Sequence, residues 1–163
     1  MAAQKIPDGY STVTVYLVVK DAVEALSFYG KAFGATTLMR MPAPGGGTIH
    51  AEMQLGSSRV MLTDENLQWG MKSPLTIGGS PATMHLYVED CDAVFARATE
   101  AGCEIVQPLM DAFWGDRMGK VKDPFGHEWG IATHLEDLTP EEIGVRQQAF
   151  FKEMEEPGGA PCE

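Results

Sequence analysis

Val18-Val19-Lys20-Asp21 runs into an alanine-rich amphipathic stretch that ends at Gly34, and Tyr87-Val88-Glu89-Asp90 runs into a second such stretch that ends at Gly102. The two aspartates are 69 residues apart and the two glycines 68. A strand–helix unit that recurs once at this spacing is a duplicated module, since a solenoid stacks roughly three or more repeats. In the first copy, Asp21 is placed to cap a helix, Glu24 follows three residues later, and Gly34 supplies a left-handed stop. Ala22, Ala25, Leu26, Tyr29 and Phe33 recur at helical spacing and give that helix one apolar stripe. In the second copy, Asp90 or Asp92 caps a helix over 93–101 whose apolar side is Val94, Phe95 and Ala98.

Beyond each helix the hydrophobic period changes to two. Thr48 to Leu55 alternates, Gly56-Ser57-Ser58 turns, and Arg59 to Thr63 alternates again, which reads as a hairpin. Met118 to Lys122, the turn Asp123-Pro124-Phe125-Gly126 and His127 to Thr133 form its counterpart. Between the halves, 64–81 reads as a linker or a loop over the site. Thr139-Pro140-Glu141-Glu142 announces a further helix to about Glu155, with Thr139 as N-cap and Glu142 closing a capping box. The tail 157–163 reads as disordered.

Strand alternation assigns faces. Val13, Val15, Leu17 and Val19 oppose Thr14 and Tyr16; Ile49, Ala51, Met53 and Leu55 oppose His50, Glu52 and Gln54. Val60 and Leu62 oppose Arg59, Met61 and Thr63; Met84, Leu86 and Val88 oppose Thr83, His85 and Tyr87; Trp129 and Ile131 oppose Glu128 and Gly130. Apolar faces belong under the helices. The other faces collect Tyr16, His50, Glu52, Met61, His85, Tyr87 and Glu128, which line one cleft if the halves curl together. The alternative is a plain solvated sheet.

The chain has 163 residues, 12 basic and 23 acidic side chains, and a formal charge of −11. That charge argues against nucleic acid or an anionic membrane surface as partner. From Leu135 onward eight acids face only Arg146 and Lys152, a net of −6, so the excess belongs mainly to a C-terminal helix face. Cys91, Cys103 and Cys162 are odd in number and lack close pairing, which fits a reducing cytoplasm. The N-terminus leads into no apolar signal region, and the run from Val13 to Val19 is too short to span a bilayer.

The repeat, Val18-Val19-Lys20-Asp21-Ala22 with Phe28-Tyr29 and Ala32-Phe33-Gly34-Ala35, and Asp123-Pro124-Phe125-Gly126-His127-Glu128-Trp129 resemble the glyoxalase/bleomycin-resistance/dioxygenase family, the vicinal oxygen chelate superfamily. Phe113-Trp114-Gly115-Asp116-Arg117, Ile131-Ala132-Thr133-His134, Asp137 and Thr139-Pro140-Glu141-Glu142 resemble its PhnB-like branch. The resemblance implies an α+β fold: duplicated βαβββ modules forming a U-shaped mixed or antiparallel sheet, with an added C-terminal helix. On that plan a single domain divides into module one at about 10–66, a linker at about 67–80, module two at about 81–134 and a helix at about 139–155. It also implies a homodimer with clefts built from both modules, and a divalent metal acting there as a Lewis acid.

The positions that match the family's metal ligands hold Thr14, Thr83, Gly130 and, in the first hairpin, Met61 or Thr63, none a good ligand for a catalytic divalent metal. Relocated ligands could be His50, Glu52 and His85, a two-histidine, one-carboxylate set; the alternative is that these are isolated polar groups of the cleft. Phe113 and Trp114 suggest a pocket rim. Arg117 is placed to pair an anionic group, or to form a salt bridge with Asp116 or Asp111. Three functions follow: a small-molecule binder without the usual metal; a metal-dependent lyase, isomerase or dioxygenase using relocated ligands; or a non-catalytic dimerisation or partner-binding domain.

Overall fold

A computed structural model describes residues 4–155. The tail assigned to 157–163, and Cys162 with it, lie outside the described residues. Module one is β1 (Val15–Val19), α1 (Ala22–Phe33), β2 (Thr36–Pro42), β3 (Thr48–Leu55) and β4 (Ser58–Asp64). A linker carrying a 3-10 turn over Leu67–Trp69 and the short α2 (Pro74–Ile77) leads to module two. That module is β5 (Thr83–Tyr87), α3 (Cys91–Ala101), β6 (Glu104–Asp111), β7 (Asp116–Lys122) and β8 (Glu128–His134), and α4 (Pro140–Glu155) follows.

The helix punctuation is as the sequence dictates. Asp21 Oδ1 accepts from the amides of Val23 and Glu24, and Asp90 Oδ1 from that of Ala93, which settles the second cap on Asp90. Both helices end on a left-handed glycine, Gly34 at φ 74° and Gly102 at φ 118°. The capping box of α4 closes in both directions, Glu142 N donating to Thr139 Oγ1 and Thr139 N to Glu142 Oε2.

The duplicated plan appears as two four-stranded mixed sheets, ordered β1-β4-β3-β2 and β5-β8-β7-β6. In each, the first strand runs parallel to the last and the rest pair antiparallel. β2 and β6 carried no period-two signal; both are edge strands, exposed along most of their length and interrupted by register shifts. Val13, expected to begin the first strand, precedes it and is exposed.

One apolar core joins the halves. Leu17, Val19, Met53 and Leu62 from the first sheet, Tyr29 and Phe33 from α1, Phe95 from α3, and Val121, Trp129 and Ile131 from the second sheet belong to a single cluster. The Phe33 and Trp129 rings lie 4.7 Å apart. The cluster is riveted by Asp123, which is 3% exposed. Its carboxylate accepts from Phe125 N and His127 N within its own turn, from Trp129 Nε1, and from Tyr29 Oη of the other module, at 2.8–2.9 Å. His127, which the sequence assigns to the turn, also reaches across to Val18 O at 3.1 Å.

The linker is tied down at its base. Glu65 accepts from Ser73 N and Ser73 Oγ and pairs with Lys20. That pairing, with Thr76 and Ser73, holds the Glu65 carboxyl down at about 2. Pro74 and Leu75 pack on Gly126, so the linker lies on the Asp123 turn. Because the helices and the inner faces of both sheets share the core, the polar faces lie on the outside of the molecule, one per module. Within a single chain they do not close over a common cleft.

Candidate functional site

The outer face of module one carries a continuous chain of polar and aromatic groups. Tyr16 Oη meets His50 Nδ1 at 3.3 Å, and the two rings stand edge to face at 5.7 Å. His50 Nε2 meets Glu52 Oε1 at 3.2 Å, and Arg59 Nη1 lies 3.7 Å from Glu52 Oε2. Tyr10, from the segment before β1, stacks on the Arg59 guanidinium with the cation 4.8 Å from the ring centre. The Glu52 carboxyl is held below the usual range, chiefly because the Tyr10 hydroxyl is directed at it, with His50 and Arg59 adding. Met61 sits beside this chain, opposite Glu52 in the strand register, and borders a recess of about 310 Å³ under the N-terminal segment.

The outer face of module two is organised around one carboxylate. Asp116, 3% exposed, accepts from Tyr87 Oη at 2.8 Å and Trp114 Nε1 at 3.0 Å on one oxygen, and pairs with His134 Nδ1 at 2.7 Å on the other. Burial pushes its pKa up, but the contacts from His134, Tyr87 and Trp114 outweigh that and hold it below the ordinary value. His134 is raised, first by Asp116 and then by Asp137, whose carboxylate lies 3.0 Å from Nε2. Ala112, Met118 and Ala132 form a small buried floor on the same face. Tyr87 stays 64% exposed and packs against the His85 ring at 4.9 Å.

Of the residues singled out in the sequence, Tyr16, His50, Glu52 and Met61 therefore come together on one module, and His85, Tyr87, Trp114 and Glu128 are on the other. Phe113 packs against the tilted rings of Phe150 and Phe151 and so seats α4 beside the rim. Arg117 is committed: Nε and Nη2 bind Asp92, and Nη1 binds Asp111, at 2.7–2.9 Å. Asp116, expected as its alternative partner, pairs with His134 instead. Asp116 and His134 were not singled out as site residues, because it takes the β7–β8 hairpin together with the distant β5 to bring Tyr87, Asp116 and His134 to one point. The local hint is that they belong to the motifs Trp114-Gly115-Asp116-Arg117 and Ile131-Ala132-Thr133-His134.

The divalent metal that the fold implies finds no donors here. The Thr14 hydroxyl donates to Ser11 O, and that of Thr63 to Ile49 O at 2.8 Å. Position 130 has no side chain, and a Cβ there would stand 2.6 Å from His85 Nδ1, so His85 occupies the space a ligand at 130 would need. Among the described residues no three His, Cys, Asp or Glu side chains are grouped to hold a metal. His50 and Glu52 adjoin, but His85 does not join them within the chain. The residues do not fit the metal, and no chemistry is routed through it.

Twice-repeated βαβββ units around a shared helical core, each with an open polar and aromatic face, define a glyoxalase-type protein. The chain belongs to the Glyoxalase/Bleomycin resistance protein/Dioxygenase superfamily, whose profile matches residues 11–131. An uncharacterized protein of Mycobacterium tuberculosis is 47% identical over 131 residues, covering 78% of this chain and 77% of the relative. Among solved structures, TioX from Micromonospora sp. ML1 is similar at 33% identity and TM-score 0.60, covering 77% of this chain and 99% of its own. A PhnB protein from Bacillus cereus shares the fold at 20% identity and TM-score 0.59, covering 76% of this chain and 99% of its own. No helix among the described residues is long and apolar enough to cross a membrane.

Proposed function

We propose that this is a PhnB-like member of the superfamily that binds a small aromatic or amphipathic molecule without a metal, in clefts assembled by two copies of the chain. The observation that carries the reading is the pair of outer faces: each presents ring side chains and fixed polar groups to solvent, and neither has metal donors at the family's positions. Such a mixture of aromatic surface and a few oriented polar groups suits small-molecule recognition.

The dimer is supported by the sheet edges. β1 and β5 are both edge strands with an unpaired side. Val15, Met84 and Leu86 on these strands are incompletely buried, whereas Val60, Leu62, Trp129 and Ile131 on the strands beside them are buried. They border a groove of about 640 Å³ along β5. A second copy that laid its β1 beside this β5, and its β5 beside this β1, would cover both edges with one two-fold operation. It would also bring the Tyr16 face of one chain against the Tyr87 face of the other. The free, buried Cys91 and Cys103 support a reducing cytoplasm as its location, burial pushing the Cys103 thiol up to about 12.

The test is thermal-shift screening of the full chain against aromatic small molecules, with and without EDTA, alongside sedimentation velocity. Stabilisation that survives the chelator and is lost in Tyr16→Ala, in a protein sedimenting as a dimer, is the expected result. Binding abolished by EDTA and restored by a divalent cation would reinstate the metal enzyme.

A further inference from the structure

We infer that Arg59 is the anion-recognition residue of the module-one face, that the turn Pro7-Asp8-Gly9-Tyr10 is its removable cover, and that the bound molecule therefore carries a carboxylate on its aromatic body. This rests on the small-molecule reading above and names the class of ligand.

The commitments of the five arginines set Arg59 apart. Arg40 donates to Gly47 O, Arg97 to Ala32 O, Arg117 to two aspartates and Arg146 to Glu136. Arg59 donates no hydrogen bond among the described residues, and its Nε is buried without a partner. Its one ion pair, to Glu52 at 3.7 Å, is too long for a hydrogen bond and engages only Nη1. A guanidinium presents donors in a planar fork matched to a carboxylate, and a buried unpaired donor carries a desolvation cost. The Nε–Nη2 edge of Arg59 is such a fork with nothing in it.

What covers that edge is the N-terminal turn. A Cβ built on Gly9 would stand 2.7 Å from Arg59 Nε and 3.0 Å from Nη2, so the Gly9 backbone lies directly against the fork. The turn is held within itself by Tyr10 N donating to Pro7 O, and Gly9 sits at φ +80°. Tyr10 adds its ring to the cation and directs its hydroxyl at Glu52, not at the fork. Arg59 Nε is thus buried and unpaired beneath the turn, which makes the cover a poor match to what it hides. A ligand carboxylate that lifts Gly9 would engage Nε and Nη2 together. Its aromatic body would lie beside Tyr16 and Met61, and Glu52, held by His50, would stay on the Nη1 side.

Isothermal titration with 2-naphthoate and its neutral analogue 2-naphthamide tests this on wild type, Arg59→Gln and Gly9→Ala. Naphthoate should bind wild type more tightly than naphthamide. Arg59→Gln should weaken naphthoate about tenfold to a hundredfold while changing naphthamide less than about twofold. Gly9→Ala, strained at its positive φ and crowded by Arg59, should strengthen naphthoate a few-fold, whereas a purely structural turn would leave that affinity unchanged. Equal binding of the two probes, unaltered in Arg59→Gln, would overturn the role of Arg59 and leave the aromatic cleft standing. Failure of both probes to bind wild type would overturn the cleft as well.

Discussion

The two modules share a backbone and almost none of their chemistry. Both have an aspartate N-cap, a left-handed glycine stop, a parallel first-to-last strand pair and a bulged edge. The closing hairpin of module one turns on Gly56-Ser57, which is exposed and bonded to little. That of module two turns on Asp123, a buried carboxylate with four donors, one of them from the other module. The outer faces differ as sharply: an open relay from Tyr16 to Arg59 on one, and rings locked onto buried Asp116 on the other. Duplication preserved the features that local geometry requires, while the second copy took on the fastening of the molecule and the first kept an uncommitted cation.

The largest effect should come from breaking this asymmetry at Asp123. Asp123→Ala orphans two buried amides, the Trp129 indole and the Tyr29 hydroxyl, and should cost about 4 kcal/mol or more in chemical denaturation. The equivalent turn in module one should tolerate Ser57→Ala within about 0.5 kcal/mol. Similar losses at both turns would remove the distinction.

Asp116→Ala should cost less, about 1–2 kcal/mol, because Tyr87 and Trp114 can turn to water. Its signature is a red-shifted Trp114 emission as the indole loses its fixed acceptor. An unchanged spectrum would mean that Asp116 does not orient the rim.

His127 and His134 should titrate in opposite directions. Burial lowers His127, with Asp123 and Val18 O opposing, whereas Asp116 and then Asp137 raise His134. A lowered histidine favours the folded state in its neutral form, so its contribution is present above the unfolded value of about 6.5 and is lost as pH falls below it. A raised histidine contributes fully below about 6.5 and loses that contribution as pH rises through its folded pKa. Proton NMR should place the two on either side of the ordinary value, and Asp116→Asn should bring only His134 back toward it.

The smallest effect concerns α4. Phe150→Ala removes the ring packed against Phe113 at 5.6 Å and should cost about 1 kcal/mol. A far larger loss would make α4 part of the core.

What the sequence revealed and what it hid divide along the same physical line. Helix caps, turns and inner-strand faces are local: Asp21 and Gly34 act on neighbours, and Ala51 to Leu55 alternates because one face meets the core, although Ile49, expected on that face, is exposed. β2 and β6 escaped because an exposed, bulged edge strand has no face to bury. The outer-face sets were legible as sets, since period two placed Tyr16 with its neighbours and His85 with Tyr87. Their separation by the helical layer was not, because it depends on contacts such as Tyr29 with Asp123, 94 residues apart. Arg117 read as a cation for an anion or a salt bridge, and α3 brings Asp92 to it; that Gly9 lies against Arg59 depends on the segment before β1, which the strand pattern does not reach.

Mixing two damaged chains tests the shared cleft most directly. Tyr16→Ala spoils the module-one half and Tyr87→Ala the module-two half, so each variant alone should fail to bind 2-naphthoate. If a cleft combines module one of one chain with module two of another, a heterodimer of the two variants contains one intact cleft. Subunit exchange at equal concentrations should then restore about a quarter of the wild-type sites. No recovery, in a mixture shown by mass spectrometry to contain the heterodimer, would contradict a cleft built from two chains.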